Sequence, residues 1–312
     1  MQKNRVIFMG TPTIAATCLA AILQRSDVEV VAVVCQPDKP VGRKKIVTPC
    51  EVKQLALQHN LDVLQDTKVS NLFDKIKELK PDLIFTCAFG QLIPSNILEL
   101  PQYKCVNLHA SLLPKLRGGA PIQWAIINQE KLTGFTLMFM EKELDAGNII
   151  KQYQIGIAEN ETYSSLYIKF CELAKNIISN DFHILFDKKI KSIPQDKSQV
   201  TFGPNITRQD EKIDWAKPYD VVDAQIRGLY DNPIAYTTFE NQIIKIYKAI
   251  KVESYANAIP GSIVKIEKDG IIVQTKYHAI KIIELQIEGK KPCLVSQIIN
   301  GNHSFKIGKI FK

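Results

Sequence analysis

The sequence predicts an α/β chain in two parts: a mostly parallel sheet domain, then a smaller C-terminal β-barrel domain. Three observations carry this. Up to residue 158, runs of consecutive apolar residues alternate with helical patterns. A long helical pattern and a polar stretch follow. After that come short strands at close spacing, the pattern of a small antiparallel barrel. A length of 312 residues agrees with two domains at roughly 150 residues each.

RVIFM (5–9) reads as a buried strand and 13–25 as an apolar helix. EVVAVVC (29–35) is a second strand. A basic loop follows, then a helix over 50–60, a short strand near Val63 and a helix over 70–80. DLIFTCAF (82–89), KCVNLH (104–109), TGFTLMFM (133–140) and IIKQYQIGIA (149–158) are further strands. Continuous apolar runs separated by helices indicate a parallel sheet covered on both faces, with ligands beyond the carboxyl ends of its strands. Residues 162–190 form a long helix, with Leu166, Phe170, Leu173, Ala174, Ile177 and Ile178 on one face. The polar stretch 187–205 contains Pro194, Gly203 and Pro204 and reads as a linker. The domains are therefore expected at 1–190 and 206–312, with 191–205 between them. In the second, a helix near 219–229 precedes strands at 234–239, 243–252, 262–267, 271–276 and 279–287. Lys268-Asp269-Gly270 supplies a hairpin turn.

A hydrophobic content of 46% is ordinary for a soluble globular protein. Residues 6–24 carry no charge and approach membrane-spanning length. Gly10-Thr11-Pro12 breaks that run into strand, turn and helix, and Gln24-Arg25-Ser26-Asp27 does not resemble a signal-peptide cleavage region. No membrane association is expected. The seven cysteines are scattered and form no C-x-x-C. They imply a reducing cytoplasm and no zinc or other metal site. The net charge of +8 is uneven: residues 241–312 hold 12 lysines, no arginine and five acids. This is either a solvated lysine-rich surface or the footprint of a polyanionic partner.

Asn107 and His109 end an apolar run and, two apart on a strand, point the same way. Asp145 lies just past the next strand, in Leu-Asp-Ala-Gly, and neighbouring parallel strands would bring these ends together. An amide, an imidazole and a carboxylate suit acyl transfer to an amine. Asn107 and a protonated His109 can donate to a developing oxyanion, and Asp145 can collect the amine's proton directly or through water. No Ser or Cys is placed as a nucleophile, which favours direct transfer. By spacing alone, other readings stay open. A histidine at a strand end more often packs or caps, Asp145 suits a turn, and Asn107 can simply satisfy backbone.

QPDKPVGRKKIVTP (36–49) has three prolines, a glycine and four cations against one acid, so it reads as a loop rather than a helix. It is either a solvated turn or a loop reaching a phosphate backbone, with Arg43, Lys44 and Lys45 at its tip. A basic tip and a basic second domain can clasp one large polyanion from two sides.

The segments GTP (10–12), QPDKPVGRKK (36–45), AFGQLIP (88–94), NLHASLLPKLRGGAPIQ (107–123), TGFTLM (133–138) and LDAG (144–147) together resemble the methionyl-tRNA formyltransferase family. The resemblance continues through IDW (213–215), PGSI (260–263) and GKK (289–291), over nearly the whole chain. It implies a Rossmann-like N-terminal domain and a C-terminal barrel similar to an OB-fold. It also implies transfer of formyl from 10-formyltetrahydrofolate to the amino group of initiator methionyl-tRNA by a monomer. Carried over, Asn107, His109 and Asp145 are the catalytic set. Ser111, Leu112, Leu113 and Pro114 match the folate-associated SLLP, and Phe89, Gln91 and Leu92 are pterin-pocket candidates. The loop with Lys39, Arg43, Lys44 and Lys45 resembles one that enters the tRNA acceptor-stem groove.

The chain departs from the family pattern in three places. Ile14 stands where an aromatic residue is common, Glu143 where the family has Gly-Leu-Asp, and the basic loop lacks a residue after Arg43. The N-H…D set is also shared with other formyltetrahydrofolate-dependent enzymes. A sugar-nucleotide N-formyltransferase would use it on a different amine but gives no reason for lysines to crowd the last 72 residues. A catalytically silent RNA-binding protein would not need the three site residues. A nicotinamide dehydrogenase would need a glycine-rich turn where Gly10-Thr11-Pro12 stands.

Overall fold

The computed structural model describes residues 3–42, 44–253, 257–301 and 303–312. Arg43 lies outside the described residues. In chain order the first half runs β1 (Asn4–Gly10), α1 (Thr13–Leu23), β2 (Val28–Cys35), β3 (Lys39–Val41), β4 (Ile46–Thr48), α2 (Glu51–Gln58), β5 (Val63–Gln65), α3 (Phe73–Glu78), β6 (Leu83–Cys87), α4 (Ser95–Leu98), β7 (Cys105–His109), α5 (Pro121–Ile127), β8 (Leu132–Phe139), β9 (Ile149–Gly156) and α6 (Tyr163–Asp181). The second half runs α7 (Arg208–Glu211), α8 (Tyr219–Gly228), β10 (Tyr236–Phe239), β11 (Gln242–Val252), β12 (Ile263–Glu267), β13 (Gly270–Gln274), β14 (Ala279–Ile287), β15 (Cys293–Leu294) and α9 (Val295–Ile299).

Two units result. One comprises 1–121, 133–155 and 167–204; the other comprises 122–132, 156–166 and 205–312. Two short segments from within 1–190 thus group with the C-terminal part of the chain.

The first unit is built on a sheet of order β5-β2-β1-β6-β7-β8-β9. The pairs from β5 to β7 are parallel, and β8 runs antiparallel to β7. Val6 to Met9 and Leu83 to Phe85 are fully buried, as unbroken apolar runs in a doubly covered sheet should be. Phe182, just past α6, meets Phe85 of β6 edge-on at 5.1 Å, and Phe170 of α6 meets Phe135 of β8 at 5.0 Å. The uncharged run over 6–24 resolves into β1, a turn and α1. No helix among the described residues is long and apolar enough to cross a membrane.

Two expected elements differ. The helix drawn to residue 190 ends at Asp181, where a 3-10 turn over Phe182–Phe186 takes over. The 36–49 loop is a ribbon, with β3 and β4 paired antiparallel from Lys39↔Thr48 to Val41↔Ile46. Its proline is tolerated because the ribbon has no further strand that would need the missing N–H.

The second unit carries a sheet of order β10-β11-β14-β13-β12, with β15 on β14. The strand ladder does not close on itself. The carboxyl-terminal residues bridge its two free edges instead. The Ile263 N–H of β12 donates to the Lys309 carbonyl at 2.8 Å, and on β10 Thr238 and Lys312 exchange two backbone hydrogen bonds of 2.8 Å. Phe311 is thereby fixed in the core, with its ring centroid 4.9 Å from Phe239 and 6.0 Å from Trp215. Trp215 in turn donates to the Thr237 hydroxyl at 2.9 Å.

Both tryptophans, Trp124 and Trp215, belong to this second unit, so indole emission reports on it alone. Phe311→Ala leaves a cavity between the two edges and should cost about 3–5 kcal/mol. Urea unfolding followed by tryptophan emission measures it; a loss below about 1 kcal/mol would mean the tail only lies on the surface.

Candidate active site

The parallel strands deliver the loops after β1, β2, β6 and β7 to one edge of the sheet. The chain winds outward through β1, β2 and β5 and then returns to β6, so strand order reverses between β1 and β6. Open α/β sheets take their ligands at such a reversal. Gly10 permits the close approach there: a Cβ on it would lie 2.6 Å from the Ala15 Cβ and 2.8 Å from the Cys87 carbonyl oxygen. The Gln36 side chain donates to the Phe89 carbonyl at 3.0 Å and ties two of the loops together.

Asn107 is the one position of β7 that is not buried. Thr86, its register partner on β6, donates its hydroxyl to Asn107 Oδ1 at 2.8 Å; the Val106 carbonyl is a more distant acceptor at 3.3 Å. That engages the amide oxygen and leaves Nδ2 as the outward donor.

His109 is buried, and its Nε2 lies 3.0 Å from the Leu116 carbonyl oxygen. A carbonyl only accepts, so Nε2 carries a hydrogen. Nδ1 faces Asp145 Oδ1 at 3.6 Å, too far for a direct hydrogen bond. With the Nε2 hydrogen committed to that carbonyl, only a protonated ring has a hydrogen on Nδ1 to offer a group placed between them.

Asp145 reaches this point differently from the sequence expectation. Neighbouring parallel strands do not bring it there, because β8 is antiparallel to β7, with His109 opposite Thr136. The connection between these strands contains α5, which belongs from Ile122 onward to the second unit and is not a crossover helix on this sheet. Asp145 arrives instead on the 140–148 turn between β8 and β9, at φ 51°. Aspartate tolerates this left-handed conformation better than most residues. Its Oδ2 accepts the Gly118 N–H at 2.9 Å. Gly118 has φ 122°, and a Cβ on it would lie 2.8 Å from the Gly203 carbonyl oxygen, so only glycine fits.

The other sequence candidates fall into distinct places. Ser111 and Leu113 turn inward: the Ser111 hydroxyl donates to the Lys115 carbonyl at 2.6 Å, and Leu113 packs with Met138 and Ile149. Leu112 and Pro114 are half-buried. Phe89 is buried, and Gln91 bridges the Val69 N–H and the Asp66 carbonyl at 2.6 and 2.9 Å. Leu92 is 67% exposed. Lys39, Lys44 and Lys45 are exposed on the β3–β4 ribbon. Lys53 anchors the ribbon's base by bonding Asp38 and Gln65, each at 2.7 Å. Those two partners, Lys53 first, keep the Asp38 carboxyl below its usual range. Ile14 is buried, its N–H donating to the Tyr167 hydroxyl at 3.0 Å. Glu143 pairs with Arg117 at 3.0 Å, so its carboxylate is aimed at a cation rather than at Asp145.

Thr86, Leu116, Arg117 and Gln195 complete the site and were not among the sequence candidates. Thr86 was visible as the one hydroxyl in LIFTC, and Arg117 as a cation beside two glycines; Gln195 carries no signal. Burial pushes the Cys105 thiol well up, and the Ser111 hydroxyl is committed to a carbonyl. Neither offers a nucleophile. Among the described residues, no group of three or more His, Cys, Asp or Glu could hold a metal ion.

Residues 3–181 match the formyl transferase family model and 205–303 the formyl transferase C-terminal domain model. A methionyl-tRNA formyltransferase of Malacoplasma penetrans is 44% identical over 311 residues, covering 100% of this chain and 98% of that one. That of Bacillus cytotoxicus is 46% identical over 300 residues, 95% of each chain. The chain belongs to the methionyl-tRNA formyltransferase family. Among solved structures, a Helicobacter canadensis N-formyltransferase in complex with folinic acid and dTDP-3-aminofucose superposes with a TM-score of 0.68. It is 20% identical and covers 90% of this chain and 99% of that one, a likeness of fold. The Rossmann-like and OB-like readings of the two parts agree with the family's two domain models.

In a methionyl-tRNA formyltransferase site of this geometry, Thr86 orients the Asn107 donor. Thr86→Val removes only the hydroxyl bond, worth about 1 kcal/mol, and should lower kcat about fivefold to tenfold. Steady-state formylation measures it; an unchanged kcat would show that Asn107 is oriented by other contacts.

Proposed function

We propose that this chain transfers the formyl group of 10-formyltetrahydrofolate to the free amino group of initiator methionyl-tRNA, giving N-formylmethionyl-tRNA for translation initiation. The observation that carries the reading is the placement of His109 between the Leu116 carbonyl and Asp145, two residues from a free Asn107 amide donor. The neutral methionyl amine attacks the formyl carbon, and Asn107 Nδ2 and the Nδ1–H of a protonated His109 donate to the formyl oxygen as negative charge builds on it. Asp145 takes the proton that leaves the methionyl amine, directly or through water. The bond from the formyl carbon to the folate nitrogen then breaks, and that nitrogen takes up the proton the amine has lost and leaves as tetrahydrofolate. Leu92, exposed beside the strand-order reversal, and half-buried Leu112 and Pro114 offer apolar surface to its flat ring.

The tRNA reading rests on charge and on relatives. Lys39, Lys44 and Lys45 lie exposed on one ribbon, Arg43 falls within the same stretch of sequence, and the last 72 residues carry a net +7. Relatives 44–46% identical over nearly the full length are methionyl-tRNA formyltransferases, which favours this acceptor over a sugar nucleotide. We assign catalysis to the domain 1–190, with tRNA contact shared between its ribbon and the domain 206–312, and 191–205 links the two domains along the chain. The protein works in the cytoplasm as a monomer.

Incubation with 10-formyltetrahydrofolate and methionyl-tRNA should yield formylmethionine by mass spectrometry; its absence would overturn the function. His109→Ala should lose roughly 10²–10⁴ in rate with folate binding largely kept. Near-wild-type turnover would remove His109 from the mechanism. Arg43→Ala should weaken tRNA binding and lower the log–log salt slope by about one unit. An unchanged slope and affinity would remove the ribbon from the tRNA interface.

A further inference from the structure

Gln195 lies in the polar stretch that the sequence marks only as a linker, yet it is 8% exposed and every bonding position of its amide is used. Its Nε2 donates to the Asp145 carbonyl at 2.7 Å and to the Gly147 carbonyl at 2.9 Å. Its Oε1 accepts from Arg117 Nε at 3.1 Å and Nη2 at 2.8 Å. Arg117 is itself buried and sends Nη1 to Glu143 at 3.0 Å. The turn that carries Asp145 is thus gripped at residues 143, 145 and 147 by two side chains that grip each other.

The same arginine heads the loop that holds the Asp145 side chain, since the Gly118 N–H bonds Oδ2. Backbone bonds lock residues 201–203 onto that loop: Arg117 N–H to the Thr201 carbonyl at 2.9 Å, and Gly203 N–H to the Arg117 carbonyl at 2.8 Å. Leu116 N–H also bonds the Thr201 hydroxyl at 2.9 Å. The stretch 195–203 therefore braces both sides of the His109–Asp145 pair. Asp145 needs such bracing. Its φ of 51° is not the intrinsic preference of an aspartate, and at 3.6 Å its contact with His109 is too long to fix the turn by itself.

We infer that Gln195 is a positioning residue for formyl transfer: its amide joins buried Arg117 to the Asp145 turn and sets where the Asp145 carboxylate sits relative to His109. The inference rests on the reading of Asp145 as the proton acceptor. A carboxylate displaced by a fraction of an ångström keeps its charge but loses its alignment, so the loss should appear in turnover rather than in substrate binding.

The test uses the full-length protein, 10-formyltetrahydrofolate and methionyl-tRNA. Gln195→Met keeps the volume and removes both donors. Gln195→Glu keeps an acceptor for Arg117 and sets a carboxylate against two carbonyl oxygens. Both should lower kcat about 10- to 100-fold with either KM within about twofold. In an Asp145→Ala background, Gln195→Met should cost at most about twofold further, because the carboxylate it positions is gone. A kcat within twofold of wild type for the Glu variant would overturn the proposal. So would a KM increase that accounts for the whole loss, or an undiminished penalty in the Asp145→Ala background. Wild-type turnover of Asp145→Ala alone would instead overturn the reading of Asp145 on which the inference stands.

Discussion

The hydrogen bond from His109 Nε2 to the Leu116 carbonyl is the constraint on which the rest of the site depends. It decides which ring nitrogen is committed. A carbonyl cannot donate, so Nε2 carries a hydrogen, and Nδ1 is the nitrogen that faces Asp145. In the neutral ring Nδ1 is a bare lone pair turned toward a carboxylate, which offers no bond unless one of the two holds a proton. The arrangement thus leaves one gap, between Nδ1 and the carboxylate, where the two side chains face each other without a direct bond. Presenting that carbonyl has a conformational cost. Leu116 has φ 58°, and Gly118 a φ of 122° that a side chain would strain. The bonds from Thr201 and Gly203 hold the loop in this shape.

The departure at Glu143 is explained in the same framework. The residue is not among those with positive φ, so its backbone does not demand glycine. Its side chain points to Arg117, whose other nitrogens are occupied by Gln195. The glutamate is 73% exposed, so the pair contributes little to stability. What it does is occupy the third face of a buried guanidinium, which would otherwise lie free within the same network as Asp145.

Much of the fold was legible because unbroken apolar runs mark strands buried on both faces. β1, β2, β6 and β7 fall where VIFM, EVVAVVC, LIFTC and CVNLH stand. Strand direction was not legible. TGFTLMF has the same apolar pattern whether it runs with β7 or against it, and the deciding fact is that α5 packs elsewhere. The location of His109 and Asn107 at a strand end was readable from the parallel-sheet rule, whereas the route taken by Asp145 was not. The β3–β4 ribbon was hidden by Pro40 and Gly42, which read as loop residues because the rule against proline applies to strands with neighbours on both sides. Gln195 was invisible for a different reason. Its burial is set by contacts with 117 and 145, and nothing within ten residues of it encodes them.

The ribbon also shows how sequence charge and structural exposure act together. Val41, Ile46 and Val47 each remain more than half exposed, because two strands alone have no second layer to cover them. Exposed β-branched residues on an edge are an aggregation liability, and surrounding them with Lys39, Lys44 and Lys45 offsets it by repulsion between copies. The same cations attract a polyanion, so a single arrangement both repels a second copy of the chain and favours nucleic acid. Lys53, Asp38 and Gln65 fix the base of the ribbon to α2 and β5. Several lysines of the last 72 residues are held in ion pairs instead, Lys281 with Glu267 and Asp269 and Lys309 with Glu240, and the attraction of exposed charges for a distant polyanion is screened by salt. The ribbon is tied through Gln65 of β5 to the sheet on which His109 stands, so the place of Lys39 relative to that sheet is fixed by the fold.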